Sequence, residues 1–136
     1  MIVVDTNVVL DLMVFDDPAS APLREALREA RLTWVATQAM RDELARVLMY
    51  PQIQPRLAYY HRSEKQVLAQ FEAQVRFVPT PPKAPVRCTD EDDQKFIDLA
   101  VAHRATLLSK DHAVLACTKR LALLGVAVRA RWPGFG

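Results

Sequence analysis

The chain begins with three β-branched residues in a row, Ile2, Val3 and Val4, and closes that run with a charge at Asp5. A continuous apolar run of this length suits a strand covered on both faces, as in a parallel sheet. Short apolar runs recur at "TWVAT" (33–37), "RFVPT" (76–80), "ATLLSKD" (105–111) and "VAVRA" (126–130), and each predicts a further strand. Between them the apolar positions fall at helical spacing. Val8 to Phe15 forms an apolar stretch, and Asp17-Pro18 restarts the chain as N-cap and first helical residue. Ala21 to Arg31 reads as a charged helix, and Thr37 caps a helix from Gln38 to about Met49, ended before Pro51. Ser63 opens another helix to about Val75, and Asp90 opens one to about His103. A last helix runs from about His112 to Leu124, with Gly125 at its C-terminal end. "PQIQPRLAYYHR" is a polar, partly aromatic stretch, its aromatics suited to a satellite core or to stacking on bases; "PTPPKAP" is a proline-rich loop, and "RWPGFG" a tail. Strands spaced by helices predict an α/β domain in three layers, α/β/α, around a mostly parallel sheet of about five strands, with residues 1–136 as one domain.

Composition adds few constraints. Hydrophobic residues make up 51% of the 136 and charged residues 25%, an ordinary globular balance. No apolar run approaches the ~20 residues of a membrane span, and no secretory leader precedes Asp5. Cys88 and Cys117 show neither a Cys-x-x-Cys pair nor zinc spacing, which fits reduced thiols in a cytoplasmic protein. The 18 basic and 16 acidic residues nearly balance. If four acids gather in one pocket, the rest of the surface becomes distinctly basic around an acidic hole, an arrangement suited to a metal site that receives a polyanion.

Four acids stand where helix and strand geometry does not require them to face solvent. In "TDEDDQKFIDLAVA", Phe96, Ile97 and Ala100 follow Asp93 by three, four and seven positions, which places Asp93 within the apolar stripe. Asp92 points toward the stripe's edge and Asp98 away from it, while Asp90 sits at the helix start, where it caps or reaches a metal through water. In "TQAMRDELARVL", Met40, Leu44, Val47 and Leu48 form the stripe and Glu43 borders it. A rim glutamate paired with Arg46 or another base accounts for that position as well as chemistry does. Asp5 and Asp111 each follow a strand, where each can also cap the next helix. All four can reach one edge of a parallel sheet. Clustered carboxylates repel, and burial raises their pKa, so the cluster is costly unless a cation neutralises it. Oxygen ligation without histidine or cysteine suits Mg²⁺ or Mn²⁺. Asn7 and Ser109 are near enough in sequence to orient a carboxylate or a water.

With these residues in hand, the chain resembles a PIN-domain ribonuclease. "VVDTN" resembles the family's opening strand and first acid, and "RDELARVL" its helical glutamate. "CTDEDDQKFIDLA" followed by "TLLSKDHAVL" resembles its third and fourth acids. The ordered set of four is closest to bacterial PIN proteins grouped with VapC-like toxins. The resemblance implies that Asp5, Glu43, Asp93 and Asp111 are the catalytic, metal-binding acids, with Asn7 and Ser109 in support; the helix-start position adds Asp90 as a further supporting residue. It further implies a five-stranded parallel sheet, Mg²⁺- or Mn²⁺-dependent cleavage of single-stranded or structured RNA, a homodimer, and inhibition by a cognate antitoxin protein. Two rivals remain. A phosphatase with Asp5 as nucleophile typically carries a second aspartate two residues on, where this chain has Asn7. A catalytically silent PIN-like module would bind RNA or protein without cutting.

Overall fold

The computed structural model describes residues 1–132, so most of the "RWPGFG" tail, residues 133–136, lies outside the described residues. Five strands, β1 (Ile2–Val4), β2 (Trp34–Ala36), β3 (Val75–Phe77), β4 (Thr106–Leu108) and β5 (Val128–Arg129), form one sheet in the order β3-β2-β1-β4-β5. Every pairing is parallel. All three residues of β1 and of β2 are buried, so helices cover both faces of the sheet centre in a three-layer α/β/α arrangement. The strand order reverses between β1 and β4. At such a reversal the connecting helices leave toward opposite faces, which opens a crevice beyond the strands' carboxyl ends.

The helices are α1 (Thr6–Met13), α2 (Ala21–Arg28), α3 (Gln38–Leu48), α4 (Gln54–Tyr59), α5 (Glu64–Gln74), α6 (Glu91–His103), α7 (His112–Leu115) and α8 (Thr118–Ala122). A 3₁₀ turn at Pro18–Ser20 leads into α2, with the Asp17 side chain capping it at Ala19 N–H (3.0 Å), as the Asp-Pro pair predicts. Ser63 and Gln66 form a reciprocal capping box at the start of α5. Three expectations needed adjustment. The helix predicted to run to Arg31 stops at Arg28, because Ala30 turns left-handed (φ 57) and the Arg31 N–H returns to the Ala26 carbonyl. The helix predicted from His112 to Leu124 is broken after Leu115, whose carbonyl is taken by the Thr118 hydroxyl (2.6 Å). The polar stretch 51–62 contains α4, anchored by buried Leu57. Its aromatics build a satellite of the core: Tyr60 lies 6.3 Å from Phe15, and the Arg56 guanidinium covers the Phe15 ring at 3.7 Å. Trp34 is a packing residue, 2% exposed and edge-on to Phe71 at 5.3 Å. No described helix is long and apolar enough to cross a membrane.

A candidate metal centre at the sheet edge

Register explains how residues 104 positions apart come together. Val4 lies opposite Leu108, so the next residues out of the sheet, Asp5 and Ser109, are also neighbours. The Asp5 N–H donates to the Leu108 carbonyl (2.9 Å), and the Ser109 hydroxyl donates to Asp5 Oδ2 (2.7 Å). Asp5 Oδ1 accepts from the Asn7 N–H (3.4 Å) and caps α1. Capping and clustering are therefore not rival roles for Asp5. One carboxylate oxygen starts the helix while the other meets Ser109. Asp111 repeats the pattern, because it caps α7 at Ala113 N–H (2.9 Å) while its own N–H donates to the Ser109 hydroxyl oxygen (3.1 Å). Ser109, fully buried, thus ties both acids together through one hydroxyl. Asp90 caps α6 at Asp92 N–H (2.9 Å) and lines the same cavity.

Asp93 completes the cluster from the first turn of α6. It is buried as the helical phase predicts, whereas its neighbour Asp92 is exposed. Among the described residues its Oδ2 has no hydrogen-bond partner. Asp5, Asp93 and Asp111 each offer an oxygen, all within 4.8 Å of one another. Burial pushes the Asp93 carboxyl up to about 7, and the charges of Asp5 and Asp111 add to the shift. Burial likewise raises Asp5. The Ser109 and Asn7 hydrogen bonds oppose that rise, and Asp111 and Glu43 reinforce it. The donor set is all oxygen, three carboxylates crowd together, and one buried oxygen lacks a partner. Those are the features a hard divalent cation satisfies.

Glu43 borders this cluster without joining its 4.8 Å group. It lines a cavity of about 380 Å³ with Asp5, Asn7 and Asp93. Its carboxylate accepts from the Thr6 hydroxyl and pairs with Lys95 (2.7 Å). The partner foreseen as "Arg46 or another base" is thus Lys95. Arg46 lies one turn along α3 on the cavity wall and, among the described residues, makes no ion pair. Asn7 is exposed at the cavity and contributes its backbone N–H to Asp5. Sequence reasoning missed Thr6, Lys95 and Tyr50. Thr6 had a signal in its position beside Asp5. Lys95 had none, because its partner is 52 positions away. It also missed Gln94, a buried brace whose amide holds Val86 O (3.0 Å) and Cys88 N–H (2.6 Å) against α6.

A second cavity of about 370 Å³ also takes part of its wall from α1, at Val8 and Asp11, and reaches Lys110 and Trp132. Of its charged residues, Asp11 and Lys110 are paired with each other, and Asp17 and Arg131 also line it.

The sequence model of one family, described as the PIN domain, matches residues 1–113. That span holds all four candidate acids. No curated protein matches the chain significantly.

Proposed function

The chain belongs to the PIN-domain family, a family of nucleases, and on that premise we propose that it is a Mg²⁺- or Mn²⁺-dependent endoribonuclease that hydrolyses phosphodiester bonds of single-stranded RNA. One observation carries this reading: the buried, unpartnered Asp93 oxygen in the company of the Asp5 and Asp111 carboxylates. Asp5, Asp93 and Asp111 are the residues that would hold the cation, and Glu43 is the fourth acid, reaching the cavity from α3. A divalent ion bound here supplies Lewis acidity and charge neutralisation at the phosphate.

The protein's own contribution is placement. Ser109 and the Asn7 N–H fix the Asp5 carboxylate in one orientation. The α7 cap fixes Asp111, and the Thr6 hydroxyl and Lys95 anchor Glu43 at the rim. Burial supplies low polarity, which strengthens every interaction with a bound charge. The arrangement of the acids disfavours an aspartyl-nucleophile phosphatase, because Asp5 is engaged through both oxygens and Asn7 holds the place of the second aspartate. The VapC-like resemblance of the four-acid set further supports assigning the protein as the toxin of a toxin–antitoxin pair, acting in the cytoplasm as a homodimer restrained by its antitoxin.

Cleavage of a mixed RNA pool with Mg²⁺ or Mn²⁺, beside an Asp5→Asn control, tests the nuclease reading. The nearly isosteric substitution should preserve the fold and abolish cutting. An Asp5→Asn protein that cuts RNA as fast as the parent would refute it.

A further inference from the structure

We infer that the exposed face of α3 beyond Glu43 is a substrate track, in which Arg46 binds a backbone phosphate and Tyr50 stacks on an unpaired base of the RNA strand. The inference rests on the nuclease reading and adds to it the residues that grip the strand. Glu43, Arg46, Val47 and Tyr50 all line the acid-bearing cavity. They stand at i, i+3, i+4 and i+7, the spacing of a single helix face. Tyr50 lies two residues past Leu48, the end of α3, and its N–H bonds the Val47 carbonyl (3.0 Å), a closing i−3 turn that keeps it against the same wall. With a rise of about 1.5 Å per residue, Arg46 lies about one turn and Tyr50 about two turns from the glutamate. A strand laid along α3 meets carboxylate, guanidinium and aromatic ring in that order.

The charges sort the candidates. Lys95 is committed to Glu43 and Lys110 to Asp11. Arg41 is paired with Glu72 (3.1 Å). Arg46 is the basic residue on this cavity wall and, among the described residues, has no acidic partner. An unmatched guanidinium beside an acidic centre offsets the repulsion that the acids exert on an incoming polyanion, and its planar fork suits phosphate. Tyr50 is 44% exposed and, among the described residues, has no aromatic neighbour in contact, unlike Tyr60 and Trp34. An aromatic ring on such a wall stacks on a base only where the base is unpaired, so this track selects single strands over duplex.

The test is fluorescence anisotropy of a labelled ten-nucleotide oligouridylate, with a duplex RNA of equal length as comparison. The full chain carries Asp5→Asn to prevent cutting, at fixed Mg²⁺. Tyr50→Ala should weaken single-strand binding by about tenfold or more, Tyr50→Phe should stay within about twofold, and the duplex should respond little. Arg46→Gln should weaken both ligands and reduce the salt slope on the single strand by about 0.7. Both residues are exposed, so melting curves should match the parent. Unchanged single-strand binding in Tyr50→Ala, or an equal loss on duplex, overturns the base-stacking assignment. An unchanged salt slope in Arg46→Gln overturns the phosphate assignment. RNA cleavage by the unsubstituted protein is scored separately, and its absence counts against the nuclease reading while the binding series still decides the track.

Discussion

Two cavities of nearly the same volume share α1 as a wall, and they differ in how their charges are matched. In one, Asp11 and Lys110 neutralise each other, and Asp17 and Arg131 stand among Val8, Leu23 and Trp132 on the remaining wall. In the other, Asp5 and Asp93 line the wall and crowd against Asp111, while the Lys95 ammonium is held by Glu43. Volume does not separate the two. Crowding of like charges does, because a folded chain keeps buried carboxylates in mutual contact only at a cost in stability. Helix capping gives Asp5 and Asp111 a structural use, but it gives none to Asp93, whose buried Oδ2 has no partner among the described residues.

The strongest way to break this comparison is to neutralise one acid in each cavity. Asp93→Asn should lower RNA cleavage by roughly 10²-fold or more, the scale of losing a key transition-state contact. Kinetics on a single labelled RNA would measure it. A stability contrast comes next. In the metal-free protein the Asp93 carboxyl, ordinarily at 3.8, is raised to about 7, so the folded state retains a proton that the unfolded chain has released. Stability contributed by that proton is complete below about pH 4 and is lost as the pH rises through 7. Melting in EDTA should therefore fall between pH 5 and pH 8, and Asp93→Asn should flatten the fall. Mg²⁺ or Mn²⁺ should restore about 2.7 kcal/mol when present at 100 times Kd. Melting curves that ignore both pH and metal would count against a shared cation site. The smallest effects belong to acids outside the cluster. Asp92→Asn should leave cleavage within a few-fold of the parent. Asp11→Asn, which removes a partly exposed ion pair, should change stability by under about 1 kcal/mol and cleavage hardly at all. A loss from Asp11→Asn as large as that from Asp93→Asn would make the second cavity part of the reaction.

The sequence announces the parts of this site that depend on local periodicity. Asp93 and Asp92 are adjacent, and helical phase alone assigns one to the interior and the other to solvent. The strands before Asp5 and Asp111 are legible because residues covered on both faces form unbroken apolar runs. Contacts set by the path of a loop are not legible. Asp98 points away from the α6 stripe, yet it accepts from the Ala84 N–H (2.8 Å) because the proline-rich segment folds back over that helix. The Glu43–Lys95 pair is hidden for the same reason, since α3 and α6 approach only in the assembled sheet. The break between α7 and α8 turns on one threonine hydroxyl competing for a carbonyl, a choice that apolar periodicity does not encode. Within α4 too few residues are buried to leave a periodic signal.

The bond between Ser109 and Asp5 joins the start of the chain to its last quarter. During synthesis from the amino end, Asp5, Glu43 and Asp93 all emerge before Asp111 exists. β4 inserts beside β1 only after residue 108, and the Ser109 N–H finds its partner only once Arg129 has been added. An incomplete nascent chain therefore lacks an assembled acidic centre, whatever its length up to that point. This topology delays assembly of the acidic centre of a nuclease-family domain until translation of the described residues is all but finished.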